Sequence, residues 1–219
     1  MFERIGMRQR KVKNVEERLA EYADYLIENP SLMKGKWKET FGNDNKIFLE
    51  LGCGKGQFIV TKAKANKEFN YIGAEGQQTI ILRALEKASK EQTINVRFMT
   101  GFIKDVTDIF EEDELSGVFL NFSDPWPKDR HSKRRLTHKN FLEGFKKVSK
   151  AGSILEIKTD NEELFEFTLG QIEMMGFEMI ELTRNLHFSE CTSKNTTTEY
   201  EDKFKSFGKK IQFVKVTLK

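Results

Sequence analysis

Phe48-Leu-Glu-Leu-Gly-Cys-Gly-Lys-Gly56 leads from a short apolar run, residues 47–51, into a turn with glycine at every second position. A stretch with helical character, residues 57–66, follows. Strand, glycine turn and helix in that order open a βαβ unit, because glycine lets the backbone reverse sharply and lie close to a ligand. Outward from this point strands and helices alternate. Residues 71–74, 96–99, 117–121 and 154–159 read as strands; 79–92, 138–148 and 161–175 read as helices, the last stopped by Gly176. This alternation predicts an α/β fold, a mainly parallel sheet covered on both faces. Residues 177–186 and 210–218 read as two more strands with no clear helix between them, expected to form a C-terminal antiparallel hairpin. Near the start, Val15, Leu19, Tyr22, Ala23 and Leu26 have helical spacing up to a stop at Asn29-Pro30, and a polar connector then reaches Asn45. Residues 1–14 read as a basic arm, and residues 1–219 as a single domain.

The bulk numbers suit that architecture. A chain of 219 residues with 38% hydrophobic and 32% charged residues is long enough for one globular domain with a sizeable core. Its 19 Phe are read mostly as core filler. No apolar run reaches the roughly 18 residues of a membrane helix, and the first residues are charged without an apolar stretch, so neither a membrane span nor an export signal is expected. Cys53 and Cys191 form no disulfide framework, which points to a reducing, cytoplasmic setting. His131, His138 and His187 have no metal-ligand spacing, and no metal is expected. Net charge is only +3, but it is unevenly spread. Arg4, Arg8, Arg10, Lys11 and Lys13 face Glu3 alone; Lys128, Arg130, Lys133, Arg134, Arg135 and Lys139 face Asp129 alone; Glu111, Glu112, Asp113 and Glu114 lie elsewhere. Two cationic patches on a nearly neutral chain imply a directed anionic partner.

Ligands of open parallel sheets bind beyond the carboxyl ends of the strands. Those ends hold Glu50 and Gly52, then Glu75, Gly101, Asp124 and Asp160. The glycines 52, 54 and 56 depart from the dinucleotide pattern G-x-G-x-x-G, since the third comes one residue early. Glu50 would repel a pyrophosphate but suits a cationic sulfonium amino acid, and Glu75 can accept from two ribose hydroxyls. The cofactor that needs these features is S-adenosylmethionine. Cys53 reads as a small packing residue.

The second informative stretch is Phe119-Leu-Asn-Phe-Ser-Asp-Pro-Trp-Pro-Lys-Asp-Arg-His-Ser-Lys-Arg-Arg135. A strand runs out into one carboxylate, Asp124, on a loop stiffened by two prolines. Trp126 either stacks on a base or packs beneath the loop. The run 128–135 is read as phosphate-binding. Asp160 either caps the next helix, with Glu163 completing a capping box, or touches substrate. Thr198, three residues before Glu201, also has the spacing of a helix cap. A carboxylate, an aromatic plane and several cations within a few residues describe a site for a base within a polyanion, and hence a nucleic-acid methyltransferase.

Residues 48–56, 71–77, 121–136, 158–161 and 198–204 together resemble, in order, the bacterial tRNA (guanine-N7)-methyltransferases of the TrmB family. The likeness spans roughly residues 1–217, and Asp-Pro-Trp-Pro-Lys followed by Arg-His-x-Lys-Arg-Arg is its most specific part. It implies a Rossmann-like class I methyltransferase using S-adenosylmethionine, held by Glu50 and Glu75 beside the glycine turn of Gly52, Gly54 and Gly56 already read as cofactor-binding. It also implies that Asp124 is cofactor-proximal and catalytic. Lys128, Asp160, Thr198, Glu199, Tyr200 and Glu201 are implied to contact tRNA, whose variable-loop guanosine at position 46 is methylated on N7. One position departs from the family: Phe102 stands where many members carry an acid or amide against the adenine. Either Phe102 packs on that ring or Asp105 substitutes for it. Three other readings remain at this level: an amino-group methyltransferase, since Ser123-Asp-Pro-Trp126 partly matches the motif of those enzymes; a nicotinamide-dependent dehydrogenase; and a non-catalytic RNA-binding module. Monomer and homodimer are equally open.

Overall fold

The computed structural model describes residues 13–190, 195–205 and 208–219. The arm residues 1–12, with Arg4 to Lys11, and Cys191 lie outside the described residues.

An eight-stranded sheet is built from β1 (Leu26–Ile27), β2 (Lys46–Leu51), β3 (Phe69–Glu75), β4 (Val96–Thr100), β5 (Leu115–Asn121), β6 (Ser149–Thr159), β7 (Glu178–Thr183) and β8 (Gln212–Thr217). Their spatial order is β1-β4-β3-β2-β5-β6-β8-β7. All pairings from β1 to β6 are parallel. β8 runs antiparallel between β6 and β7, so the C-terminal pair is antiparallel as expected. The order reverses between β2 and β5, which is where a doubly wound sheet opens a crevice at its carboxyl edge.

Side-chain alternation along the strands feeds two apolar layers. Ile47, Leu49 and Leu51 join Ile72, Val118 and Leu120 beneath α5 (Lys139–Val148) and α6 (Glu162–Met175). On the other face Tyr71, Phe98 and Phe119 meet α3 (Gln57–Ala65) and α4 (Gln78–Lys90), with Leu19 of α1 (Val15–Ala20). The central strands are buried on both faces, which is why their sequences are almost continuously apolar.

Three elements differ from the sequence reading. The first helix stops at Ala20 instead of running to Leu26. Leu26 instead pairs with Phe98 as a short edge strand, and the N–H of Phe98 donates to the Tyr25 carbonyl at 2.7 Å. The polar connector contains α2 (Trp37–Phe41), anchored by a fully buried Trp37 that stacks on Phe110 and donates from Nε1 to the Ile109 carbonyl at 3.0 Å. Between β7 and β8 lies α7 (Glu199–Lys205), short and wholly polar at its start, which left no apolar periodicity to read.

Candidate functional site

The turn after β2 rises at the switch point. Gly52, Gly54 and Gly56 all have positive φ, at 77°, 56° and 77°. Gly56 is fixed by packing, since a Cβ there would lie 2.7 Å from the Ala84 side chain of α4. At Gly52 and Gly54 a Cβ would meet nothing within 4 Å, so those two peptides border open space. Cys53 is a buried free thiol whose pKa burial pushes well up, which removes it as a nucleophile.

Glu50 is only 1% exposed. One carboxylate oxygen accepts from Asn121 Nδ2 at 2.8 Å, while Oε2 is buried without a partner. Burial raises its pKa to about 7, against the opposing hydrogen bond from Asn121 and the Lys158 charge. Glu75, at the end of the neighbouring strand, accepts from the Gly54 N–H at 3.2 Å and the Gln77 N–H at 3.0 Å, which aims its carboxylate at the glycine turn. A buried acid lacking one donor, a second acid with spare lone pairs, and two open peptides between them fit the ammonium, ribose and main chain of S-adenosylmethionine. Asn121 carries no role in the sequence reading, although a lone polar residue ending an apolar strand beside Glu50 is a signal for one.

Phe102 is 83% exposed and lies flat against Gly76 in the loop after β3. It borders a cavity of about 220 Å³ with Met99, Gly101 and Ile103 at the end of β4. Asp105 Oδ1 accepts from the N–H and hydroxyl of Thr107 and so caps the short turn Val106–Asp108.

Asp124 is exposed on the loop that leaves β5. Two non-glycine residues with positive φ flank it, Phe122 at 54° and Trp126 at 41°. The Phe122 N–H donates to the Lys158 carbonyl at 2.8 Å, and its ring meets Tyr200 at 4.7 Å. Trp126 is half-buried between Arg134, whose guanidinium is 5.0 Å from its ring, and an edge-on His131. Lys128, Arg130 and Lys133 point to solvent, whereas Arg135 does not. Arg135 is 7% exposed and donates to the carbonyls of Pro125 at 2.9 Å and Trp126 at 3.1 Å. The reading of 128–135 as a uniform phosphate-binding run is therefore corrected at Arg135. Sequence alone cannot distinguish a guanidinium that turns inward.

Asp160 does not cap α6. The neighbouring Asn161 does, accepting from the Leu164 N–H at 2.7 Å, so the capping-box reading fails by one residue. Asp160 instead accepts from the Tyr200 hydroxyl at 2.8 Å and pairs with Lys209. Thr198 caps α7 through its hydroxyl, which accepts from the Glu201 N–H at 3.0 Å. The carboxylate of Glu201 is fully buried and faces Lys158 Nζ at 3.3 Å; that lysine is 3% exposed, and burial lowers its pKa. Glu199 pairs with Lys55 of the glycine turn at 3.2 Å and Lys87 of α4 at 2.9 Å. Gln57 of α3 donates to Asp202 at 2.5 Å. Helix α7 is thus strapped across the carboxyl edge, touching the glycine turn, α3, α4 and β6. Of the lysines that receive it, Lys55 and Lys87 carry no role in the sequence reading.

The structure brings Glu50, Gly52, Gly54 and Glu75 together on one side of the crevice, and Asp160 and Tyr200 together on the other. It turns Glu201 inward.

A family model described as "Putative methyltransferase" matches residues 44–214. A protein of Brevibacillus brevis named tRNA (guanine-N(7)-)-methyltransferase is 43% identical over 96% of this chain and 98% of its own length. One of the same name from Clostridioides difficile is 44% identical over 94% of this chain and 96% of its own. Among solved structures, a SAM dependent methyltransferase from Aquifex aeolicus superposes with a TM-score of 0.54 at 16% identity, covering 94% of this chain and 90% of that one, a likeness of fold alone. At this identity over nearly the whole of both chains, and with the family model matching residues 44–214, the chain belongs to the tRNA (guanine-N(7)-)-methyltransferase family.

Proposed function

We propose that this protein transfers a methyl group from S-adenosylmethionine to N7 of a guanosine in tRNA, the variable-loop position 46. The observation that carries the reading is the placement, across one switch-point crevice, of the half-satisfied buried Glu50 and the Asp124 loop with its exposed cations. The activity for which the relatives are named supports the choice of acceptor.

S-adenosylmethionine supplies a methyl group on a positively charged sulfur. Guanine N7 carries an in-plane lone pair and no proton at neutral pH, so no base has to act first. The work left to the protein is alignment and electrostatics. Glu50, whose buried Oε2 lacks a donor, would hold the cofactor's ammonium, Glu75 would accept from its ribose hydroxyls, and the open peptides at Gly52 and Gly54 would lie beside it. Positive charge moves onto the guanine ring during transfer. Asp124 or Asp160, accepting from the ring N1–H and amino group, stabilises that charge. Lys128, Arg130 and Lys133 hold phosphates, while Thr198, Glu199 and Tyr200 line the tRNA side of the crevice.

The test uses unmodified tRNA transcript, methyl-labelled cofactor and digestion to nucleosides. Labelled 7-methylguanosine that disappears when G46 is replaced is the expected result. Label in an N-methylated amino nucleoside would move the reaction to an exocyclic amine, and tRNA binding without label would leave a binding module.

A further inference from the structure

We infer that Arg135 is a positioning residue for the Asp124 loop, acting through the loop's main chain and not as a ligand for tRNA phosphate. The inference rests on the proposed role of the Asp124 loop, but its geometry stands apart from the identity of the product.

The Asp124 loop contains Pro125 and Pro127. Its prolines cannot donate main-chain hydrogen bonds, and Trp126 has a φ of 41°, a conformation that persists only where the surroundings impose it. Arg135 supplies that imposition. Nε and Nη2 donate to the consecutive carbonyls of Pro125 and Trp126, the two residues after Asp124. The guanidinium plane lies 4.3 Å from the ring of Phe167, a residue of α6. Phe167 also stacks with His138, the residue that caps α5. A planar fork on two carbonyls, backed by an aromatic face, uses the features that distinguish arginine from lysine. The Asp124 loop is thereby referenced to the rigid helical layer. Asp160 immediately precedes the Asn161 cap of the same helix, so α6 sets both acids of the acceptor side.

A phosphate ligand and a main-chain strut respond differently to replacement. Lysine restores a bond to phosphate but not a fork. Three readouts on the full chain separate them: turnover with tRNA transcript at saturating cofactor, tRNA affinity against salt, and acrylamide quenching of tryptophan. The chain has two tryptophans, and Trp37 is fully buried, so quenching reports Trp126. Arg135→Lys is expected to lower kcat at least tenfold and raise Trp126 quenching, while the KM for the cofactor and the salt slope stay as in the parent. Phe167→Leu, which removes only the backing ring, should shift quenching in the same direction with a smaller loss of kcat, and serves if the arginine variant folds poorly. Lys133→Met provides the contrast of a shallower salt slope. If Arg135→Lys keeps kcat within twofold with unchanged quenching, or if Arg135→Met flattens the salt slope as Lys133→Met does, the strut is wrong. The quenching arm reads the loop even if the product is not 7-methylguanosine, so failure of the strut and failure of the methylation reading remain distinct.

Discussion

Glu50 carries a measurable conflict between stability and binding. Its pKa is raised from 4.5 to about 7 by burial, so the fold favours the protonated form. Stability from this group is therefore fully present below about pH 4.5 and is lost as pH rises through about 7. Glu50→Gln should stabilise the cofactor-free protein at pH 8 by on the order of 3 kcal/mol at most, seen as a higher melting temperature, and the gain should vanish toward pH 4.5. The same variant should lose cofactor affinity, because an amide cannot offer a charge to the ammonium. In the parent, affinity should weaken as pH falls through 7. Thermal melts and cofactor titrations across that range test both. Asp124 is exposed and presents the opposite case. Asp124→Asn should cost about a hundredfold or more in turnover, and unaltered turnover would remove it from the mechanism. The placement of Glu50 and Glu75 beside the glycine turn was legible because strand, turn and strand end dictate where those residues lie. That of Asp160 and Arg135 was not. Adjacent Asp160 and Asn161 compete for one cap, and only the chain's path decides which wins; a cation in a basic run gives no sign of facing inward.

Helix α7 shows how a short element without an apolar face can be held. Its acids Glu199, Glu201 and Asp202 each reach a different partner, and the Lys158–Glu201 pair is the buried one. Breaking a buried pair from one side leaves an uncompensated charge, at about 3–5 kcal/mol. Lys158→Met should therefore destabilise the protein by that order, while Lys158→Met with Glu201→Leu should recover much of the loss. A double-mutant cycle from denaturant unfolding measures the coupling, and simple additivity of the two single changes would show that the pair does not hold the helix. The same physics explains which elements the sequence concealed. The parallel strands and the helices α3 to α6 bury apolar faces, so their periodicity was visible. β1, α2 and α7 depend on a pairing with Phe98, one buried indole and a set of ion pairs, and each of these is made by residues distant in the chain.

Across the whole molecule the charges have a direction. The acidic run 111–114 precedes β5 and the basic run begins soon after it, so a strand of roughly 20 Å separates them along the sheet. The near-zero net charge conceals this polarity, which favours approach of a polyanion to the carboxyl edge. Replacing Lys128, Arg130 and Lys133 together by Met should weaken tRNA binding and make its dependence on log salt shallower by about 0.7–0.9 for each phosphate no longer neutralised. An unchanged slope in filter-binding or anisotropy titrations would place the RNA elsewhere. The sheet's connectivity also governs the order in which a growing chain can assemble. β7 is made before β8, yet its place in the sheet is beyond β8. As the polypeptide emerges from the ribosome, β7 has no seat beside β6 and must wait until β8 threads into the gap. During that interval β6 is an unguarded strand edge, a template on which another chain could pair.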